Sequence, residues 1–421
     1  MFHGKRMARL MLISLLTILL IVPTAFANDQ VSLVFNGQEL KADLYVENGV
    51  SYISAASLAK LPGINLDQEG YVALRSFFEN KGGKVDWNGD NNQITVSWRE
   101  KQGEWTADEL IVESTAKMQE LNTYKMKGEA TMKMNIAGPT TGEVPEIPDT
   151  TIYQEAVYQQ KPLAMYMLQT VKLPLEDMEL TEDEQALFEQ GNMVTEMVLT
   201  ENAIYQKTPP FDKWIVQDLA ELGMTEKLSN MLQTTPQQSL EMMREFGMIN
   251  VFGEDAVIDG KEYYTVKTYV DGETFKKVID DMLGEFDLVN LISTTQELTE
   301  TDKQLTEEEM AQVVEETQKL VKQMLANLDL NYYIDSLINK DTLLTEYMRI
   351  DLNMNFGLDE TIVPEGPVNF SMIMKGEYQL FDFGTVVKLP DVSNAITQEE
   401  FLAEMKQMME EMPVETTEQA E

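Results

Sequence analysis

Residues 124–136 read Tyr-Lys-Met-Lys-Gly-Glu-Ala-Thr-Met-Lys-Met-Asn-Ile. Every even position is apolar or small: Tyr124, Met126, Gly128, Ala130, Met132, Met134 and Ile136. Every odd position is charged or polar: Lys125, Lys127, Glu129, Thr131, Lys133 and Asn135. Successive side chains of a strand point to opposite faces, so this period of two predicts a long strand with one dry and one wet face. The pattern returns near the other end of the chain. Met348, Ile350, Leu352, Met354 and Phe356 alternate with Arg349, Asp351, Asn353 and Asn355. Val368, Phe370, Met372, Met374 and Tyr378 alternate with Asn369, Ser371, Lys375 and Glu377, with Ile373 the exception. Further strands are expected at 151–159, 163–172, 193–199, 203–207 and 261–270. One-sided antiparallel strands of this kind build a large curved sheet that needs cover on one face.

Helices supply the cover. Thr106-Ala107-Asp108-Glu109 is a capping box, with Trp105 and Leu110 placed as a hydrophobic staple. Its helix, over 107–121, presents Leu110, Ile111, Ser114, Met118 and Leu121 on one face. Thr306-Glu307-Glu308-Glu309 repeats the device with Leu305 and Met310, and that helix carries Val313, Val314, Leu320, Val321, Met324, Leu325 and Leu328 at helical spacing. Thr235-Pro236 opens another, with Pro at the first helical position and Gly247 near its end. Residues 181–184 and 272–283 are further helical stretches. The expected class is α+β: a small α+β module, then a large curved antiparallel sheet covered by helices on one face.

A long sheet lined by methionine and aromatic residues beneath helices resembles the LolA-like lipoprotein-carrier superfamily and its Gram-positive members of unassigned function. The likeness rests on residues 105–136, 263–277, 338–356 and 378–395. The last stretch holds Phe383-Gly384-Thr385-Val386-Val387-Lys388-Leu389-Pro390, then Ser393-Asn394-Ala395. The resemblance implies a lipid or other hydrophobic small molecule held in a cavity between sheet and helices. The shared even-position face supplies the cavity-facing candidates: Met126, Met132, Met134, Met348, Met354, Phe356, Phe370, Met372 and Met374. The chain departs from the common anchored form in having no lipobox cysteine. The competing class is a structural or adhesive envelope protein whose sheet and helices pack directly together.

Residues 31–98 read as short strands around two small helices. Strands at 31–35 and 40–46 flank Asn36-Gly37, a hairpin-type pair. Short helices at 54–60 and 76–80 end at Pro62-Gly63 and Gly82-Gly83. Strands at 85–87 and 94–98 flank a loop of turn formers, 88–92. The stretch resembles the copper amine oxidase N-terminal-like domain of secreted Gram-positive proteins. It does so at Phe35-Asn36-Gly37-Gln38-Glu39-Leu40, at Gly70-Tyr71-Val72-Ala73-Leu74-Arg75, and from Gly83-Lys84-Val85-Asp86-Trp87 through Val96. That resemblance implies a non-catalytic, envelope-associated module whose partner is cell-wall polymer or another envelope protein. The cluster Asp86, Asn88, Asp90 and Asn92 fails as a calcium loop, since Asn91 and Ser97 stand where Gly and Glu belong; a hairpin turn is expected instead.

The N-terminus reads as a secretory signal. Lys5, Arg6 and Arg9 precede the uncharged run 10–22, then Pro23 and Ala25-Phe26-Ala27. The run is shorter than the ~20 residues of a membrane span. The domains are therefore 1–27 signal peptide, 28–102 N-terminal module, 104–395 sheet-and-helix domain and 396–421 acidic amphipathic helix and tail. Export with cleavage after Ala27 is the expectation; an uncleaved anchor is the alternative.

Cysteine is absent and the one histidine is His3, in the signal. Imidazole and thiol catalysis, disulfides, zinc and type-1 copper sites are thereby excluded from the mature chain, and no cofactor is expected. No paired-carboxylate motif, Gly-rich phosphate loop or basic-aromatic patch stands out, so no enzyme is expected. The formal net charge is −40, nearly all of it after Gln102. Such a surface repels phosphates, which argues against nucleic acid. Methionine is used 28 times. Flexible core filling and a plastic ligand-cavity wall both explain it. Thioether copper at Met132/Met134, Met372/Met374 or Met405/Met408/Met409/Met412 is the third reading, weakened because the spacing follows strand and helix periods.

Overall fold

The computed structural model describes residues 31–404 except 65, 67, 90, 139–148, 173–191, 209–210, 220–234, 284–306, 361–362, 364–365 and 402. The signal segment, Asp90, the 181–184 stretch, the cap at Thr306 and the tail methionines from Met405 onward lie outside the described residues.

The N-terminal module holds two small sheets. β1 (Ser32–Phe35), β2 (Gln38–Leu40), β6 (Lys84–Asn88) and β7 (Gln93–Ser97) form one, in the order β2-β1-β7-β6. β3 (Leu44–Glu47), β4 (Val50–Ser54) and β5 (Tyr71–Ala73) form the other. Asn36 and Gly37 both take positive φ, 48° and 82°, as a two-residue hairpin turn requires. The expected strand 40–46 is divided: Leu40 ends β2, and β3 begins at Leu44 in the second sheet. α1 (Ala55–Ala59), capped by Ser54, and α2 (Leu74–Glu79) close the core. β6 and β7 pair antiparallel around the 88–92 turn.

A two-stranded ribbon, β8 (Lys101–Gln102) and β9 (Trp105–Thr106), leads into α3 (Ala107–Leu121). Its capping box is complete: Glu109 N–H donates to Thr106 Oγ1 at 3.1 Å and Thr106 N–H to Glu109 Oε2 at 2.8 Å. The large sheet then begins with β10 (Thr123–Ala137), β11 (Thr150–Gln159), β12 (Ala164–Lys172), β13 (Asn192–Thr200), β14 (Ala203–Lys207) and β15 (Ile215–Asp218). After α4 (Pro236–Glu245) come β16 (Met248–Phe252), β17 (Ala256–Ile258) and β18 (Lys261–Val270). Helices α5 (Gly272–Leu283) and α6 (Glu307–Ala326) precede β19 (Asp329–Asn339), β20 (Thr345–Leu358), β21 (Val368–Phe381) and the short β22 (Ile396–Thr397).

These strands make a 13-stranded sheet in the order β16-β18-β19-β20-β21-β10-β11-β12-β13-β14-β15-β22, with β17 also on β18. Every pair is antiparallel except β15 with β22. The two alternating stretches furthest apart in sequence lie side by side, β10 against β21. All four helices α3 to α6 cover the even face of these central strands. Leu110 of α3 packs with Phe252, Val266 and Ile338. Phe246 at the end of α4, Val278 and Ile279 of α5, and Val321 and Leu325 of α6 pack with Met354, Phe356, Phe370 and Met372. The class is therefore α+β, with a large curved sheet.

The N-terminal module sits on the opposite face. Ile249, Val251 and Tyr269, from the outer side of β16 and β18, belong to the same buried cluster as Leu33, Phe35, Phe78 and Trp98. Asn36 ties the two parts together. Its Nδ2 donates to the Trp98 carbonyl at 3.0 Å and the Asn250 carbonyl at 3.1 Å, while its Oδ1 accepts from Trp98 N–H at 2.9 Å. Asn250 in turn donates to Asp108 at 2.8 Å, and Asp108 also pairs with Arg244 of α4. The Arg244 carbonyl accepts from Gln38 Nε2 at 2.7 Å, so the module reaches the helix cover.

Candidate functional site

Residues directly opposite on paired strands point to the same side of a sheet. Register therefore defines the floor beneath the helices. Met354, Met372 and Met134 form one row across β20, β21 and β10, and Leu352, Met374 and Met132 form the next. Phe356, Phe370 and Ile136 form a third, with the two phenyl rings stacked at 4.8 Å. Met354, Phe356, Phe370 and Met372 are buried, 4% to 8% exposed, under α4, α5 and α6; Met132 and Met134 are half-buried against the same cluster.

The other three predicted residues share the face but not the cluster. Met348 lies in a row with Tyr378, Gly128, Gln154, Gln169 and Thr195. Met126 lies in a row with Leu380, Ala156, Met167, Met197 and Gln206. Met374, in register with Met132, is half-buried. Tyr378 lies flat across the floor because its neighbours on β10 and β21 are glycines. A Cβ on Gly128 would come within 2.5 Å of its ring, and one on Gly376 within 2.9 Å.

Register also adds residues that the even-position face leaves out. Met165 and Met167 of β12 and Met197 of β13 continue the floor as half-buried side chains, and Met193 is 36% exposed. They occupy odd positions, because β11 and β12 pair with a sum that reverses parity. The signal was present as a short alternation, Met165, Met167, Gln169, Val171 and Met193, Thr195, Met197, Leu199. From β20 through β13 the floor carries no charged side chain. The phenols on this side of the sheet, Tyr124, Tyr158 and Tyr378 on the floor and Tyr332 on neighbouring β19, are neutral at ordinary pH, and burial pushes their hydroxyls further above the ordinary phenol value. Gln154 Nε2 donates to Gln169 Oε1 at 3.1 Å, satisfying one amide with the other.

The outer face has a different chemistry. Lys375 pairs with Asp351 at 3.1 Å, Arg349 with Glu377 at 2.9 Å, and Lys267 with Asp335. These pairs line a cleft of about 600 Å³ between the sheet and the module loop from Ala59 to Ile64. Among the described residues no group of three or more His, Cys, Asp or Glu is placed to hold a metal ion. Among the described residues, too, no helix is long and apolar enough to cross a membrane.

Residues 106–287, from the cap of α3 through α5, match a family of unknown function, DUF6612. The match begins after the N-terminal module, so it lends nothing to that module's resemblance to the copper amine oxidase N-terminal-like domain. No curated protein matches the chain. Among solved structures, the lipoprotein LppX of Mycobacterium tuberculosis is similar at 12% identity, with 68% of this chain and 98% of that one covered and a TM-score of 0.31. LprF from Mycobacterium bovis follows at 11% identity, 68% and 96% coverage and a TM-score of 0.28. A DUF1329 family protein from Desulfovibrio piger has 10% identity, 66% and 95% coverage and a TM-score of 0.20. Likeness at this level leaves function to be argued from the chain itself.

Proposed function

We propose that residues 104–395 bind a lipid-like or other hydrophobic small molecule against the methionine face of the large sheet. The protein is read as exported, envelope-associated and non-enzymatic, with a signal at its N-terminus. The observation that carries the reading is the uncharged floor of β20, β21 and β10 to β13, in which unbranched methionine is the most frequent side chain. Thioethers are polarizable and turn freely about three bonds, so they conform to apolar ligands of varied shape. Part of this floor is packed under helices, but Met126, Met165, Met167 and Met197 remain half-buried. The N-terminal module would serve as the contact to cell-wall polymer or another envelope protein.

A second reading, a structural or adhesive envelope protein, is favoured by the direct packing of Met354, Phe356, Phe370 and Met372 onto the helices. The two separate by what travels with the protein. Native mass spectrometry with lipid extraction, on protein from its own host, is expected to find a bound hydrophobic molecule. A ligand at a hundredfold excess over its Kd stabilises the fold by ~2.7 kcal/mol, a readily measured Tm shift. Protein that emerges empty, and whose Tm is unmoved by saturating fatty acids and lipids, belongs to the structural class.

A further inference from the structure

On the charged face, beyond the contact with the module, a cavity of about 280 Å³ opens at the ends of β18, β20 and β21. Its wall combines Tyr347, Phe381, Phe383 and the buried Tyr263 with the carboxylates of Glu346, Asp259 and Asp382, the last paired with Lys125 at 2.8 Å. Lys261 is the single base among its described lining residues.

Glu346 is there because of a bulge. Simple alternation along β20 would put it beside Met348 on the methionine floor. Register shifts between Leu337 and Ile338, so Leu337 faces Tyr347 while Ile338 faces Thr345, and Glu346 is the extra residue between them. Bulges re-aim side chains in this way. Glu346 turns to the outer face, where Tyr263 Oη donates to Oε2 at 2.7 Å and Asn339 Nδ2 donates to Oε1 at 3.0 Å. Lys261 Nζ also donates to Oε2, at 3.1 Å. The two ends of that ion pair are unequal: the Glu346 side chain is 14% exposed and the Lys261 side chain 57%. The carboxylate is a fixed part of the wall, while its cation is a surface side chain on a flexible stem.

The rings suit the same charge. Tyr263, 1% exposed, backs Tyr347 edge to face at 5.6 Å, and Phe381 shows its attraction for a cation by holding Lys127 Nζ 5.2 Å from its centroid, so a guest meets Tyr347 and shares Phe381 with Lys127. Aromatic faces attract cations, and attract alkylated ones most cheaply, because little water must be stripped from them. The carboxylates do not converge as a metal-holding group. We propose that this cavity binds a small alkylated ammonium group of choline size, and that Lys261 is a built-in occupant which the ligand displaces. The volume lies just below the ~300 Å³ at which ordinary ligand pockets begin, which sets the size of the guest. The site is on the opposite side of the sheet from the methionine floor and does not depend on its role.

Titration calorimetry of the full chain with choline chloride tests this. Wild-type protein is expected to bind in the millimolar range. Lys261→Gln, which frees the carboxylate, is expected to bind about tenfold tighter, and Phe381→Leu about threefold weaker, the scale of one exposed cation–π contact. Glu346→Gln is expected to lose binding. Because Glu346 also anchors Tyr263 and Asn339, the exposed Lys261→Gln substitution is the decisive arm. No heat with either wild type or Lys261→Gln overturns the proposal, as does binding that Lys261→Gln leaves unchanged. Co-sedimentation with phosphatidylcholine vesicles, set against phosphatidylglycerol vesicles, identifies the source: retention on the former alone points to a lipid headgroup. Choline binding without retention points to a free solute.

Discussion

Along β21, Phe370, Met372 and Met374 face the helices, while Ser371, Ile373 and Lys375, alternating with them, face outward. The two faces of one sheet thus differ by a single residue step, and they hold their neighbours by different means. The inner face is uncharged and rich in side chains that bend. The outer face carries ion pairs across its middle strands, and under the module an amide network in which Asn36 has all three of its described bonds made. A bent methionine tolerates a change in what it touches. An amide held by three bonds does not. Plasticity belongs to the inner face and fixed geometry to the outer one.

The largest effect is expected on the inner face. Phe370 is 5% exposed and stacked on Phe356, so Phe370→Ala should cost ~3–5 kcal/mol in chemical denaturation. A loss below ~1.5 kcal/mol would mean that the methionines close over the gap, and that this face is softer than its burial implies. Asn36→Ala comes next. It strips partners from two carbonyls and one N–H at the junction, and it places alanine at a φ of 48°. The expected cost is ~3 kcal/mol, with earlier proteolysis between the module and β16. An unchanged digestion pattern would show that the apolar contacts of Ile249, Val251 and Tyr269 hold the module without the amide. The smallest change is expected for Lys375→Ala. Its pair with Asp351 joins side chains that are 65% and 50% exposed, so the loss should stay within ~1 kcal/mol and fade with added salt. A larger loss would break the contrast, by making the ion pairs rather than the amide network hold the outer face.

Much of the helix and strand order could be read locally. The alternation over 124–136 becomes β10, and the residues Thr106 and Glu109 cap α3 as their spacing predicts. Thr235 and Pro236 open α4, where Gln238 completes a capping box that the Thr-Pro pair alone did not reveal. Several strands escaped, the short β15, β17 and β22 among them, and two others show why. β16 reads Met-Ile-Asn-Val-Phe and β19 contains Tyr332-Tyr333-Ile334, neither with a clean alternation. The reason is burial on both sides. Met248 and Tyr332 lie with the helix cluster, while Ile249, Val251 and Tyr333 lie with the module. A strand with no wet face loses the period of two by which strands are recognised. Of the predicted cavity face, Met354, Phe356, Phe370 and Met372 come together under the helices with Met132 and Met134 beside them. Met126, Met348 and Met374 share the floor outside that cluster, and the methionines of β12 and β13 extend it in the opposite parity.

The sequence by itself determined where strands alternate and where helices begin, because side-chain alternation and capping act within a few residues of the chain. It determined, too, that the chain has no thiol and that its one imidazole is His3. Tertiary structure alone decided that β10 lies beside β21, that the module closes over the outer side of β16 and β18, and that Glu346 leaves the methionine face. Pairing between strands more than two hundred residues apart, and one extra residue in a bulge, are settled by contacts that no local pattern contains.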